Sequence, residues 1–344
     1  MKQGTRLLYS KVMVGMAAAF AVNSMAQTFS VSPSVEQTLQ DQITAQSNFL
    51  GMVSTVLVDQ GEGETIWGGV LGSVTSTTDT KAGGTRSARN VLNLKNSTYK
   101  CNKVHSDVAI HYDDIDQWTP VFKDFQSRYR AWVQKAIALD RLKIGWHGTH
   151  YAANSNMATY PMLQDCNKGW LQVLRDQMPG NVIDEIVAAS GAIKIGEGGD
   201  YLNLDMAVHD LLQLIPEHLR ADLVVLVGSD LLAADKAKLY AAQGSTPTEK
   251  QQIELQAVNK TYGGLTAYSP TFFPGRGIMI TSLKNLVITV QRGTWRRRAE
   301  DKSDVEAVID WNSRREGYGI NVLEAAAYME SDNVKLKNAA GQWY

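Results

Sequence analysis

The clearest hydrophobic pattern in the chain is a stripe of apolar and aromatic residues that recurs at three- and four-residue steps. Thr119 is suited to cap a helix and Pro120 to occupy its first turn, where the missing N–H costs nothing. Gly145 is a suitable C-terminal stop. The pattern predicts one long helix over about 119–144, which spans about 39 Å at 1.5 Å per residue. Its stripe consists of Phe122, Phe125, Tyr129, Trp132, Val133, Ala136 and Ile137.

The region before this helix changes from helical to strand periodicity. Residues 30–50 predict a polar amphipathic helix, and residues 53–56 and 66–70 predict strands on either side of a turn at 61–63. A polar, Gly-containing stretch over 73–86 then separates β-rich arms. We expect an extended hairpin that projects from the body and needs a partner to bury its faces.

The second half of the chain reads as a separate αβ unit. Residues 202–215 predict a helix and 223–227 a buried strand, and Ser229 is suited to start the next helix. The Thr-Pro-Thr-Glu sequence at 246–249 is a capping box, which marks a further helix start. Residues 277–281 and 286–290 predict a hairpin joined through 282–285.

The first thirty residues allow two interpretations. A basic start with Lys2, Arg6 and Lys11 precedes the apolar stretch 12–22, and the small-residue pattern at 24–26 follows it. These are the three parts of a secretory signal. The alternative is an amphipathic arm that packs on another subunit or is trimmed later, and periodicity does not separate the two because the Ala run is apolar all round.

Composition narrows the function classes. The chain has 344 residues, of which 44% are hydrophobic and 20% charged, so it has enough apolar residues for a sizeable core. The formal net charge is −1, which disfavours a dedicated polyanion binder. Two cysteines exclude a disulfide scaffold and a multi-cysteine zinc site. No uncharged apolar run reaches the roughly 18 residues that span a bilayer.

No group of residues forms a convincing catalytic or metal site. His147 and His150 lack an acidic partner at zincin spacing, and we interpret them as solvated loop histidines. The carboxylates at 113, 114 and 116 lack the remaining ligands of a calcium loop, and we interpret them as an acidic lead-in to the long helix that is favourable to its dipole. The Gly-rich segment 196–200 matches neither a dinucleotide nor a phosphate loop, which leaves a turn.

Basic clusters occur late in the chain, at Arg292, 296–298 and 314–315, with Trp295 and Trp311 between them. Because the net charge is near zero, we expect salt bridges between subunits, with loose contact to packaged DNA as the weaker alternative. A projecting hairpin, a long helix and no catalytic constellation together point to an assembly protein.

Several distinctive segments occur in order between residues 30 and 330, at 30–39, 72–80, 82–85, 161–165, 169–171, 198–201, 222–228 and 231–233. In these segments the chain resembles the major capsid proteins of tailed bacteriophages, specifically the P2-type family with the HK97-like fold. The resemblance implies an α+β fold with an N-terminal arm (1–50), an extended hairpin or E-loop (51–100), a peripheral (P) domain with a spine helix (101–191), an axial (A) domain (192–288) and a return to the P domain with the C-terminal tail (289–344). It also implies a strand at 323–328, where the residues alone favour a helix.

The resemblance further implies a major capsid protein that self-assembles into pentamers and hexamers and forms the icosahedral head shell around double-stranded DNA. Assembly would take place in the host bacterial cytoplasm, with no enzymatic activity, cofactor, metal or membrane contact. The implied partners are other copies of the chain, a scaffold or maturation protease, a portal protein at one vertex, decoration proteins and DNA in weak non-specific contact. In such relatives a protease removes the segment before the motif at 30–35, which here places the cut near Thr28, Phe29 and Ser30.

We expect the inter-subunit contacts on the hairpin and the long helix, through Trp67, Lys81, Arg86, Arg89, Arg128 and Arg130. Two alternatives remain at this point. Residues 1–26 favour an exported periplasmic binding or hydrolytic protein, and the shell architecture is also compatible with a non-viral compartment, which its cargo would distinguish.

Overall fold

The computed structural model describes residues 3–20, 22–70, 75–81, 83–86, 92–118, 125–243, 261–338 and 341–344. The helices within these ranges are α1 (Gln3–Ala19), α2 (Pro33–Thr44), α3 (Asn48–Met52), α4 (Tyr112–Trp118), α5 (Phe125–His147), α6 (Trp170–Gln177), α7 (Leu204–Gln213) and α8 (Ser229–Gln243). No described helix is both long enough and apolar enough to cross a bilayer.

The strands fall into two large sheets and two small ones. They are β1 (Phe29–Ser30), β2 (Ser54–Val58), β3 (Glu62–Val70), β4 (Leu92–Lys100), β5 (Asn102–His105), β6 (Val108–His111), β7 (Val182–Ile183), β8 (Ile193–Ile195), β9 (Val224–Val227), β10 (Thr261–Tyr262), β11 (Leu265–Tyr268), β12 (Ile278–Thr281), β13 (Leu286–Gln291), β14 (Arg296–Lys302), β15 (Ala307–Ile320), β16 (Ala326–Met329) and β17 (Val334–Leu336). The mixture of separate helices and mainly antiparallel sheets confirms the predicted α+β class.

The seven-stranded sheet is organised around β15, which is 14 residues long. Along its length β15 pairs antiparallel with β13, β14, β5 and β6. Strand β2 joins parallel to β13, and β1 pairs with the outer edge of β14. Helices α2, α5 and α6 pack against this sheet in a cluster that includes Ile43, Leu142, Trp146, Trp170 and Ile288.

The six-stranded sheet has the order β10-β11-β9-β12-β16-β7. The buried strand predicted at 223–227 is β9, which pairs parallel with β11 and antiparallel with β12. The predicted helix at 202–215 is α7, and the side chain of Asn203 caps it by accepting from the Met206 N–H at 2.9 Å. Val208 and Leu211 of α7 have no exposed surface, because they pack into an apolar cluster with the sheet.

The hairpin predicted from 277–290 is wrong. Both strands exist, but β12 pairs with β9 and β16 whereas β13 pairs with β15 and β2, so they belong to different sheets. A short 3₁₀ turn, Leu283–Asn285, carries the chain between them. All four residues of β12 and the first five of β13 are buried. Strands buried on both faces need neighbours on both edges, which a two-stranded hairpin does not supply.

The projecting hairpin is formed by β3 and β4, which pair antiparallel from Glu62 opposite Lys100 to Val70 opposite Leu92. Strand β2, at 54–58, is not part of it and joins the seven-stranded sheet. At the base of the hairpin the Ser97 hydroxyl donates to the carbonyl of Ile320 in β15 at 2.9 Å, which ties β4 to the body.

The long predicted helix is α5, although its expected cap at Thr119 and Pro120 lies outside the described residues. The expectation that Gly145 ends the helix is wrong, since α5 continues to His147. A Cβ at position 145 would lie 2.3 Å from the ring of Trp170. Gly145 therefore serves the close packing of α5 on α6 rather than a helix stop.

Several other predictions have clear outcomes. The amphipathic helix at 30–50 is present as α2 and α3, and Ser229 begins α8. The capping box at 246–249 lies outside the described residues. The implied strand at 323–328 is confirmed only in its second half, since residues 323–325 form a 3₁₀ turn and β16 begins at Ala326. The acidic residues at 113 and 114, expected to lead into the long helix, lie instead in the first turn of the short helix α4, where their charge still suits the helix dipole.

Candidate functional site: the assembly surfaces

The N-terminal segment is docked along the outer edge of the seven-stranded sheet. Phe29 lies opposite Arg297 and Ser30 opposite Arg296 in the antiparallel pair of β1 with β14. Further along the same edge, the Ala299 N–H donates to the carbonyl of Met25 at 2.9 Å. Residues 25–30 therefore satisfy backbone groups that would otherwise form an open sheet edge.

Helix α1 adds a side-chain cover to this edge. Met16, Ala17 and Met25 are buried in a cluster with Ala299 of β14. The ring of Phe20 lies 5.4 Å from the ring of Phe29, and the Arg297 guanidinium lies over Phe20 at 5.2 Å. The segment that resembles a signal in sequence is thus packed on the body of the subunit.

Beside this cover lies a cavity of about 250 Å³, which is lined by residues of α1, α2, α5 and the seven-stranded sheet. Its apolar wall includes Phe20, Leu39, Val133 and Trp295, and the exposed Arg130 lies at its rim. The N-terminal segment, the arm helix α2 and the long helix α5 therefore meet at one incompletely filled junction.

A buried ionic cluster joins α2 and α5 to the central strand. Glu316 of β15 has no exposed surface and accepts from Arg141 at 3.0 Å and from Arg314 at 2.7 Å. Arg141 also donates to Gln40 of α2 at 2.8 Å. Burial by itself raises the pKa of Glu316, but the charges and hydrogen bonds of the two arginines outweigh it and lower the pKa to about 2. Glu316 is therefore ionised throughout the ordinary pH range.

The late basic clusters also form ion pairs within the chain, and the expectation that they form salt bridges between subunits stays a prediction. Arg297 pairs with Asp310 at 2.5 Å, Arg298 pairs with Glu300, and Arg314 belongs to the buried cluster. Arg292 lies 3.5 Å from Asp59. The Arg297–Asp310 pair depends on the register of β14 on β15, which the sequence did not reveal. Arg298 and Glu300, like Arg314 and Glu316, are two residues apart on one strand and therefore share a face.

The predicted contact residues are distributed as follows. Lys81 and Arg86 are exposed on the polar tip, where the Lys81 N–H donates to the Asp79 carboxylate at 2.9 Å. Arg128 and Arg130 are exposed on α5. Trp67 lies on β3, but its side chain is outside the described set, and so is Arg89 as a whole. At the expected cut, Thr28 and Ser30 are exposed and Phe29 is half-buried.

His147 is not the solvated loop residue that we expected. It is the last residue of α5, is half-buried, and its Nε2 atom lies 2.8 Å from the carbonyl oxygen of Phe272. Burial lowers its pKa from the ordinary value. His150 is exposed, and within the described ranges no three His, Cys, Asp or Glu side chains are grouped as metal ligands.

Comparison with known proteins identifies the family of the chain. The model of the P2 family of phage major capsid proteins matches residues 8–331. The chain belongs to this family. It is 32% identical to the capsid proteins of Escherichia phage P2 over 344 residues, covering 97% of this chain and 96% of the relative. It is 29% identical to the major capsid protein of Serratia phage KSP20 over 342 residues, covering 96% and 97%.

A solved structure of the satellite phage P4 procapsid, which includes the size determination (Sid) protein, contains a similar chain. The TM-score is 0.77 at 32% identity, and the match covers 98% of this chain and 99% of that chain. The HK97-like capsid fold and the role as a major capsid protein of an icosahedral phage head are thereby confirmed. The exported alternative is not supported, because the matching family and both relatives are capsid proteins.

The residues that cover β14 were missed by sequence reasoning. Met13, Met16, Ala17 and Phe20 follow helical spacing, and this spacing was a usable signal. The neighbouring alanines obscured it, because they make the segment apolar on every side.

Proposed function

We propose that this capsid subunit assembles in the bacterial cytoplasm into pentamers and hexamers that close around double-stranded phage DNA, without any catalytic role. The observation that carries this proposal is the hairpin β3–β4. Among the described strands, β3 and β4 pair only with each other, and all described residues of the tip between 75 and 86 are exposed. The base of the hairpin is bonded to the body through Ser97 and Thr98. A two-stranded hairpin on its own is marginal in water, so the part beyond this base requires a surface on another copy.

Exposed apolar side chains on the body of the subunit support the same proposal. Trp132 on α5 is 43% exposed, Met157 on the loop after α5 is 69% exposed, and Leu202 before α7 is 60% exposed. Such residues on several faces suit a subunit with several neighbours, since many modest contacts hold a closed shell through multivalency.

We infer a division of labour that follows the sheets. The N-arm (1–50) and the E-loop (51–100) reach to neighbours, the P domain (101–191 and 289–344) contains α5 and most of the seven-stranded sheet, and the A domain (192–288) contains most of the six-stranded sheet. Strand β13, at 286–291, pairs within the seven-stranded sheet, so we place the A–P boundary in the turn at 283–285.

We also infer the maturation step and the further partners. A protease cuts after Phe29 and releases residues 1–29, and a portal protein, decoration proteins and packaged DNA complete the head. The free edge position and the exposure of Thr28 and Ser30 support the cut, since β1 contributes only two residues of pairing to β14. Detaching so short a strand makes the bond accessible at small cost.

The test is assembly of the purified full chain, observed by electron microscopy and sedimentation. We expect closed shells, and charge reversal at the hairpin tip, Lys81→Glu with Arg86→Glu, to reduce their yield. Lys81→Arg with Arg86→Lys is the matched control and should assemble normally. A parent chain that stays a stable single subunit at every concentration and with every phage helper protein would contradict the proposal.

A further inference from the structure

The edge of β14 that the N-terminal segment covers has the chemistry of a pairing surface. One side of β14 is hydrogen-bonded to β15 along its whole length. On the other side the Ala299 N–H points to Met25 and Arg297 lies opposite Phe29, so the backbone groups of alternate residues face outward. Loss of residues 1–29 leaves these groups without their partners.

The charges along this edge are self-complementary. Residues 297–301 read Arg-Arg-Ala-Glu-Asp. If two such strands pair antiparallel with Ala299 opposite Ala299, then Arg297 lies opposite Asp301 and Arg298 opposite Glu300, twice over. Opposite charges in cross-strand positions stabilise antiparallel pairs, and like charges there destabilise them.

We propose that, after removal of residues 1–29, the exposed β14 edges of two copies of this chain pair antiparallel about a two-fold axis at Ala299. This inference rests on the proposed function, in particular on the cut after Phe29. The contact is isologous, which means that both copies contribute the same residues, as a two-fold axis between subunits requires. It joins two seven-stranded sheets into one continuous sheet.

The surroundings of the strand fit this arrangement. Ala299 is only 3% exposed, and its burial depends on the cluster with Met16, Ala17 and Met25, all of which leave with the cut segment. Its outward N–H makes it a hydrogen-bonded pair with its copy, and its small side chain permits close approach at the axis. The N-terminal segment thus protects the edge in the unprocessed subunit.

The charged side chains are already held in place within each copy. Arg297 pairs with Asp310, and the Tyr112 hydroxyl donates to Asp301. They therefore lose little freedom when a second copy adds an opposite charge. Beyond the five central residues Arg296 would face Lys302, and these like charges limit the pairing to 297–301.

The first test is a disulfide at the axis. Directly opposed residues of a hydrogen-bonded antiparallel pair have Cα atoms about 5.5 Å apart, which suits a disulfide. The full-length Ala299→Cys variant receives a site-specific protease sequence at 26–29, so that it can be cut before Ser30 when required. Its shells are treated with oxidised glutathione before and after cutting. We expect a cross-linked dimer after cutting and no cross-linked dimer in uncut shells.

Two controls make this result specific. Val305→Cys, 48% exposed in the turn after β14, should not cross-link in either state. Cys101 is buried and Cys166 half-buried, so the parent chain under the same oxidation gives the background. Intact cut shells without a 299–299 cross-link would overturn this inference while leaving the proposed function in place, whereas failure of the parent to form shells would contradict the proposed function itself.

The second test does not depend on a new cysteine. When two copies of the Arg298→Glu variant pair, the new glutamate at 298 faces Glu300 of the other copy. When two copies of the Glu300→Arg variant pair, the new arginine at 300 faces Arg298 of the other copy. Each variant alone should lose the contact after cutting, seen as lower shell stability to urea than that of cut parent shells.

Mixed shells of the two variants should regain the contact, because the glutamate introduced in one copy then faces the arginine introduced in the next. This rescue acts only in trans, since both variants lack the Arg298–Glu300 pair within the chain. Equal stability of mixed and single-variant shells would overturn the inference.

Discussion

The two large sheets of this subunit are packed against their helices in different ways. Between α7 and the six-stranded sheet the buried side chains are mostly apolar, among them Val208, Leu211, Val225, Ile278 and Ile280. Between α2, α5 and the seven-stranded sheet a polar layer is buried beside the apolar cluster. This polar layer consists of Glu36, Gln40, Gln134, Arg141, Asp310, Asn312, Arg314 and Glu316.

The difference shows two ways of fixing a helix on a sheet. An apolar interface is stabilised by the area that it buries and tolerates small shifts of the helix, because dispersion and hydrophobic contacts are not directional. A buried ionic interface requires each partner in its place, and a shift of α5 would separate Arg141 from both Glu316 and Gln40. We interpret the polar layer as the feature that fixes the position of α5 and the arm helix α2, which carry part of the proposed inter-subunit surfaces.

The largest expected effect comes from removing the central acid of the polar layer. Glu316→Leu leaves Arg141 and Arg314 buried without their carboxylate, which should lower the free energy of unfolding by about 4 kcal/mol. Urea unfolding of dissociated subunits, followed by tryptophan fluorescence, measures the loss. Hydrogen exchange should accelerate in α5 and β15 more than in β9.

The matched control removes the whole cluster. Arg141→Met and Arg314→Met together with Glu316→Leu should recover most of the stability, because no charge is then left buried and unpaired. A single Glu316→Leu variant as stable as the parent would contradict the role assigned to the polar layer.

The corresponding change in the apolar core is Leu211→Ala. Leu211 has no exposed surface, and truncation should cost about 3 kcal/mol through lost burial and a residual cavity. Here hydrogen exchange should accelerate in β9 and β12 and leave β15 nearly unchanged. Leu202→Ala, at a side chain 60% exposed, is the control and should change stability by less than about 0.5 kcal/mol. Equal acceleration in both sheets would show that the two cores are one cooperative unit.

Acid should destabilise the core around Glu316 before it destabilises the apolar core of the six-stranded sheet. The pKa of Glu316 lies at about 2 in the folded subunit against an ordinary value of 4.5, so the unfolded chain takes up the proton first as the pH falls. The stability from the cluster is complete above pH 4.5 and is lost between 4.5 and 2, by about 3 kcal/mol in total.

We therefore expect the environment of Trp146 in α5 and of Trp170 in α6 to change before the six-stranded sheet loses exchange protection. Glu316→Gln should remove this acid step, since it has no proton to gain. Simultaneous loss of both regions in parent and variant alike would contradict the assignment.

The smallest expected effect is a gain in stability at Glu36. This carboxylate has no exposed surface and accepts from the Gly293 N–H at 2.9 Å. Burial raises its pKa, partly offset by that N–H and by Arg292, so the charged form is held at a cost at neutral pH. Glu36→Gln keeps an acceptor for Gly293 and should add about 1 kcal/mol at pH 7.

The sign of this effect provides its own check. Because the folded pKa is raised, the cost appears as the pH rises above the ordinary range of a glutamate, and the gain from the Glu36→Gln change should shrink toward acid pH. Asp41→Asn, on the exposed side of α2, should change stability little at either pH. A Glu36→Gln variant less stable than the parent at pH 7 would show that the charge is needed there.

Local patterns predicted the elements with strong short-range signals. Helix α7 has an Asn cap and a clear apolar stripe, and β9 is an unbroken apolar run, so neighbours in sequence were sufficient to identify them. The pairing of strands was harder to predict from the sequence. Strands β12 and β13 are close in sequence and both β-rich, but each needs two further neighbours from distant parts of the chain.

The candidate surfaces divide in the same way. The exposed tip residues Lys81 and Arg86 were predictable from a polar, Gly-containing stretch. The cover of Ala299 by Met25 and the buried cluster around Glu316 were not, because residues more than a hundred positions apart form them.

The amino-acid sequence by itself determined the capsid family, the α+β class, the hairpin and the long helix, because these follow from motifs and from periodicity over short stretches. Only the tertiary structure decided which charges are paired inside the subunit, why Gly145 is a glycine, and that the first thirty residues cover a sheet edge. Those features depend on strand register and helix packing, which bring distant residues within a few ångströms and which no local pattern encodes.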